Sequence, residues 1–139
     1  MTHTNRPLPS SIPVVLPAVP DAQAACAAAC LDLLAAGQAC VDSCLTELAH
    51  YPQLAPCIQA VLDCADICAA TGRMLARRTW ADPSVRRALL EACVVACRAC
   101  RAECAMHARN LNLDICAACA DACARTAQAC HALLGEQRA

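Results

Sequence analysis

Phenylalanine is absent from this chain, and tryptophan and tyrosine occur once each. A core without aromatic rings must be built from small side chains, so its elements approach one another closely. Lysine is absent too; all eleven basic residues are arginine. With abundant alanine, that reads as genome composition rather than chemistry. Only three glycines occur, and most of the eight prolines lie in the first twenty residues. Beyond residue 20 the composition is therefore strongly helical. Net charge is −1, which supplies no field to recruit nucleic acid or an anionic membrane. The N-terminus lacks a basic region leading into an apolar run. Pro13, Pro17 and Pro20 interrupt the one apolar stretch there, and no twin-arginine pair appears. No export signal is read, and a cytoplasmic location is expected. Nor is any segment read as both long enough and free enough of charge to span a bilayer.

What the chain has instead is cysteine: fifteen in 139 residues. The densest run is Cys93, Cys97, Cys100, Cys104 and then His107. Steps of four, three, four and three return to one face of a helix, and the five side chains fall within about ±40° of a line. Arg98, Arg101 and Glu103 point elsewhere on that wheel. Thiols thus occupy the stripe where most helices bury leucine.

Three further segments repeat the design. Residues 1–20 read as an extended Pro-rich arm, and residues 21–139 as one bundle domain. Helix 1 runs from Asp21 to about His50, with Cys26, Cys30, Cys40 and Cys44 on one line and Leu33 and Gly37 between them. Tyr51-Pro52 breaks it. Helix 2 runs from about Leu54 to Arg78, with Pro56 in its first turn. It carries Cys57, Cys64 and Cys68, its stripe completed by Val61, Thr71 and Leu75. Thr79-Trp80-Ala81 is a link, and Asp82-Pro83 is a start signal, N-cap followed by proline. Helix 3 runs to about Arg109, and Asn110-Leu111-Asn112 forms a turn. Helix 4 starts at Asn112 or Leu113 and ends near Gly135, with Cys116, Cys119, Cys123 and Cys130. Four long helices with short links predict an all-α, antiparallel, up-down-up-down four-helix bundle with a cysteine-lined core. In the three Cys-x-Asp-x-Cys repeats the Asp lies about 200° from the first Cys, on a solvated face.

A secreted disulfide scaffold is opposed by the odd cysteine number and by geometry. Cβ atoms one helical turn apart are about 5–6 Å distant, whereas a disulfide needs about 3.8 Å. Reduced thiols are expected. A single buried cysteine is a small hydrophobe. Fifteen on four registered stripes are not explained that way, because a thiol packs no better than alanine or valine and oxidises readily. Thiolates select Cu(I), Zn(II) or iron–sulfur clusters. Four thiolates around Zn(II) leave two surplus negative charges, costly in an apolar tube. Cu(I) is satisfied by two or three sulfurs, and each ion replacing a thiol proton leaves the charge unchanged. At roughly one Cu(I) per cysteine, with bridging thiolates, the loaded core is near neutral. The Cys-x-x-x-Cys pairs 26/30, 40/44, 64/68, 93/97, 100/104 and 119/123 suit two-coordinate binding. Cys57, Cys116 and Cys130 would bind across helices or bridge.

With these pairs, the Cys97–His107 run and the Cys116-x-x-Cys119-x-x-x-Cys123-x6-Cys130 run, the chain resembles the bacterial copper storage proteins from about Asp21 onward. The resemblance implies a four-helix bundle that sequesters many cuprous ions without catalysis, and assembly into a homotetramer. Members without an export signal are cytosolic.

Two ends of the bundle differ in sequence. Leu75, Leu89, Leu90 and Leu134 gather at one, read as sealed. Cys44, Cys57, Cys104, His107 and Cys116 gather at the other, beside His50 and the Asn-rich turn; that end is read as the mouth through which copper enters, with His107 as an entry ligand. Other readings are weaker. Met106 faces away from its stripe, Met74 flanks its own, and His131 is about 60° off the helix 4 line. Glu47-x-x-His50 lacks the second motif a di-iron bundle needs. Cys116-x-x-Cys119 lacks the βαβ context of a thioredoxin. Arg73, Arg77, Arg78, Arg86 and Arg87 lack interleaved aromatics and read as a solvated or subunit-contact face, not a nucleic-acid site. The alternatives kept open are an iron–sulfur or thiol redox protein, expected to be coloured, and a zinc buffer holding one metal per four thiols.

Overall fold

A computed structural model of the protein describes residues 21–77 and 82–137. The 1–20 arm, Arg78 and the Thr79-Trp80-Ala81 link lie outside the described residues. Four helices account for almost everything else: α1 (Asp21–Glu47), α2 (Ala55–Ala76), α3 (Pro83–Leu111) and α4 (Asp114–Gln137). Each packs on its neighbours in a ring, α1 on α2 and α4, and α3 on α2 and α4. This is the antiparallel bundle that the stripes predict.

The helix ends follow local chemistry. α1 stops at Glu47, a few residues short of the expected His50, and a turn leads into a short 3₁₀ segment, Pro52–Leu54. Proline opens that segment because its missing N–H costs nothing at a helix start. α3 begins as its sequence dictates: Asp82 accepts hydrogen bonds from the backbone N–H of Ser84 at 2.8 Å and of Val85 at 3.3 Å. Those contacts satisfy two of the donors that a helix start leaves free. α3 runs past Arg109 to Leu111 and ends where Asn112 turns left-handed, with φ 54°. Asparagine tolerates that conformation better than most residues.

The buried stripes are those of the wheel. All fifteen cysteines are at most 1% exposed, and Leu33, Val61, Thr71 and Leu75 are at most 2% exposed. Asp42, Asp66 and Asp121 of the repeated motif are exposed. Two glycines set how closely α1 meets α2. A Cβ on Gly37 would come within 3.2 Å of Val61 Cγ1, and one on Gly72 within 3.3 Å of Cys30 Cβ. Two buried threonines need no polar partner from the core. Thr71 donates to the Ile67 carbonyl at 2.7 Å, and Thr126 donates to Ala122 O at 2.9 Å and across to Ala29 O on α1 at 3.1 Å. The expectation about membrane-length segments needs correction. By length and composition, Ala22–Glu47 and Pro52–Ala76 are both apolar enough to cross a bilayer. Alanine and cysteine raise their hydropathy, and the same apolarity lines the bundle interior.

Candidate metal centre

The stripes converge because each helix turns its 3.6-residue face inward. Sulfur then meets sulfur mainly between helices. Cys26 lies 3.5 Å from Cys130, Cys64 is 3.6 Å from Cys97, Cys68 is 3.6 Å from Cys93, and Cys57 is 3.7 Å from Cys104. The one-turn pairs 40/44, 64/68 and 100/104 are slightly wider, at 3.9 Å each. The tightest thiol partners are therefore on another helix, across α1–α4 and α2–α3. Helix periodicity places each sulfur on its face but carries no information about this cross-helix register. All fifteen thiols are free.

Sulfurs within 4.8 Å of one another form five groups. Cys40, Cys44, Cys57 and Cys116 make a four-thiol group at one end of the bundle. Cys40 also joins Cys104 and Cys119. In the other half, Cys30, Cys68 and Cys93 are linked through Cys68 to Cys64 and Cys97, and through Cys64 to Cys100 and Cys123. Every cysteine except Cys26 and Cys130 belongs to at least one group, and those two face each other. Cys40, Cys64 and Cys68 are shared, so one sulfur can serve two ions. The two halves share no sulfur, but Cys100 of one lies 3.9 Å from Cys104 of the other, so the groups form one path along the axis rather than isolated sites.

Packing so many thiols together polarises them. Hydrogen bonding from Cys130, and then from Cys30, pushes Cys26 down to about 4, with a smaller contribution from the Arg86 charge. Cys64, Cys93 and Cys119 are driven far down, chiefly by the S–H groups of Cys100 for Cys64 and Cys119 and of Cys130 for Cys93. Their partners move the other way: Cys68, Cys104, Cys123 and Cys130 are pushed up as donors. Burial is the main reason that Cys44 rises. Within this network some sulfurs accept S–H hydrogen bonds and others donate them, and hydrogen bonding to a thiolate favours losing the proton that a bound metal ion replaces.

The two ends also take shape. At the end read as sealed, Leu75, Leu90 and Leu134 are buried and Leu89 is half-buried. A polar latch, missed in the sequence, crosses this end. Gln23 donates to the Leu75 carbonyl at 2.8 Å and accepts from Arg86 at 3.0 Å. Arg86 is therefore not part of a purely solvated arginine face. At the opposite end Leu54 is fully buried, with Leu48, Tyr51, Leu111 and Ile115 packed against the core. The thiols there are covered rather than open. His107 is also buried, 3% exposed, and its Nε2 lies 3.2 Å from Glu103 Oε2. Glu103 does not simply point elsewhere; its half-buried carboxylate folds back one turn to the imidazole. The i, i+4 spacing was the available signal. His107 belongs to none of the five sulfur groups. Met74 is buried, while Met106 and His131 are exposed.

Comparison with known proteins agrees with this geometry. Residues 19–135 match the family model described as "Copper storage protein". The fold is similar to that of the copper storage protein Ccsp from Streptomyces lividans loaded with 10 copper equivalents, with a TM-score of 0.79. The two are 42% identical, over 90% of this chain and 93% of that one. It is also similar to a cytosolic copper storage protein of the same organism carrying five coppers, with a TM-score of 0.76 and 44% identity, over 82% of this chain and 92% of that one. Among curated relatives, the cysteine-rich protein YhjQ of Bacillus subtilis (strain 168), itself uncharacterized, is 33% identical over 109 residues, 78% of this chain and 93% of its own length.

Proposed function

The chain belongs to the copper storage protein family and stores copper, and we propose that it holds the metal as Cu(I) on the cysteine thiolates of its core, at roughly one ion per cysteine. The observation that carries this reading is the connected set of sulfur groups, all buried, with three thiols shared between groups. Two- and three-coordinate sulfur sites in a dry core suit a soft monovalent ion. They suit Zn(II) poorly, because four of the five groups offer only three thiols and closed zinc sites want four ligands. Each Cu(I) displaces one thiol proton, so loading adds no net charge to the apolar interior. The metal ligands are Cys26, Cys30, Cys40, Cys44, Cys57, Cys64, Cys68, Cys93, Cys97, Cys100, Cys104, Cys116, Cys119, Cys123 and Cys130. The protein carries out no catalytic turnover. It works in the cytosol, as the Streptomyces relative is described, and as a homo-oligomer, a tetramer by family resemblance.

The test is an anaerobic titration of the reduced protein with Cu(I) against a chromogenic cuprous chelator. Uptake near one ion per cysteine before the chelator colours is the expected result. Saturation after a few ions would mean a discrete centre and would contradict storage.

His107 serves as an entry ligand in this account. It is the polar step between half-exposed Glu103 and the covered thiols at its end of the bundle. His107→Ala is expected to slow copper uptake severalfold in stopped-flow loading from a cationic copper source while capacity stays nearly intact. Unchanged kinetics would remove His107 from the pathway.

A further inference from the structure

A small cavity on the side of the bundle reaches the backs of the core thiols. Between α3 and α4 there is a cavity of about 200 Å³ whose lining includes Cys97. Its α4 wall includes the small side chains of Ala124 and Ala127, so only a thin layer covers Cys97 there. Its rim carries Arg98, Arg101 and His131. No carboxylate lines it. The outer residues are exposed, whereas Cys97 is fully buried at its floor. Behind Cys97 lie Cys64 at 3.6 Å and Cys68 at 3.7 Å, the three-thiol group in which both shared sulfurs of that half meet.

The electrostatics of this seam are opposite to those beside His107, where a carboxylate faces the imidazole. A bare cuprous ion has no reason to approach two guanidinium groups. An anionic complex does, because arginine pairs with carboxylates and concentrates anions locally.

We propose that the α3–α4 seam is a side entrance at which copper arrives as an anionic Cu(I)–thiolate complex of a small carboxylate-bearing thiol, docked by Arg98 and Arg101 beside His131 and transferred to Cys97. The proposal rests on the copper-storage reading. Transfer is a ligand exchange without redox change. The bond from copper to the donor's sulfur breaks as the bond to Cys97 Sγ forms, and the Cys97 proton leaves on the released thiol. In a second exchange Cys64 or Cys68 replaces the other donor sulfur, which leaves as a thiolate, so the core gives up one proton for each Cu(I) it gains and its charge is unchanged. His131 offers an imidazole nitrogen at the rim during the handover. The arginines are docking residues and touch no sulfur.

Stopped-flow loading with two copper sources tests this: Cu(I) as its glutathione complex and Cu(I) as its acetonitrile complex. Arg98→Glu/Arg101→Glu is expected to slow uptake from the glutathione complex about tenfold, within the range that electrostatic steering gives, and to leave uptake from the acetonitrile complex unslowed. Ala127→Leu, which fills the seam, should slow the glutathione route as well. Because both arginines are exposed, their replacement leaves the core intact. Wild-type rates from glutathione in the charge-reversed protein, or equal slowing from both sources, would overturn the proposal. Final capacity is read in the same experiment. A capacity of only a few ions in the unsubstituted protein would contradict storage itself and leave the comparison of rates readable.

Discussion

Replacing Cys64 and Cys68 together by alanine is expected to cost more than twice as much copper capacity as replacing Cys26 and Cys130 together. Each variant removes two thiols. In the first, both belong to two sulfur groups, so three of the five groups lose a ligand. In the second, the lost thiols belong to none of the five groups; they meet each other, and they border the Cys30–Cys68–Cys93 group without being shared by it. If sulfur bridges neighbouring ions, a shared position supports more than one of them. If each cysteine instead holds copper independently, the two variants lose the same amount. Titration against a chelator reads the difference directly. Neither variant should unfold: cysteine to alanine removes one small buried atom per site, at the low end of the range for core truncations, about 1 kcal/mol each.

Copper loading is expected to raise the melting temperature by more than 20 °C, on the order of what a few tight sites supply. An ion present at a thousand times its dissociation constant stabilises the folded state by about 4 kcal/mol per site. Three such sites already match the whole stability of an ordinary domain, about 5–15 kcal/mol. The copper-free protein starts from a modest position. Its core has no phenylalanine, and its largest fully buried side chains are leucines, each contributing about 1.5–3 kcal/mol by burial. Cysteines of the unfolded chain also take copper, which reduces the gain. They cannot reproduce thiols brought together from two or three helices at each group, so most of it survives. Calorimetry of copper-free and loaded protein in an anaerobic cell measures the shift. Equal melting temperatures would mean that the ions bind outside the folded core.

Much of this protein is legible in its sequence because cysteine is used periodically. Steps of three and four residues fix which face of each helix is buried, and proline and Asp82 mark where helices start. The resemblance drawn from those motifs is matched by the family assignment and by the copper-loaded Streptomyces structures. What the periodicity cannot carry is the register between helices. That depends on packing between helices, such as the close approaches of Gly37 to Val61 and Gly72 to Cys30 across α1 and α2, and it is this register that brings Cys26 to Cys130 and Cys68 to Cys93. One-turn pairs within a helix stand out in the sequence, yet the shortest sulfur contacts run between helices. Charged residues were misread for a related reason. A helical wheel gives the direction of the Cα–Cβ bond, while Glu103 and Arg86 are long enough to turn back, one to His107 and the other to Gln23. The covering of the His107 end by Leu54 and its neighbours depends on the turn and the 3₁₀ segment after α1, where no stripe exists to follow.

The claim that matters most is that copper lies on the bundle axis, shared among these thiols. Crystals of the fully loaded protein, measured at wavelengths on either side of the copper absorption edge, locate every ion by anomalous scattering. The account predicts a row of copper peaks along the axis, each bound to two or three cysteine sulfurs, with Cys40, Cys64 and Cys68 each touching more than one ion. Copper confined to one site, or bound on the outer faces with the core thiols still free, would contradict it.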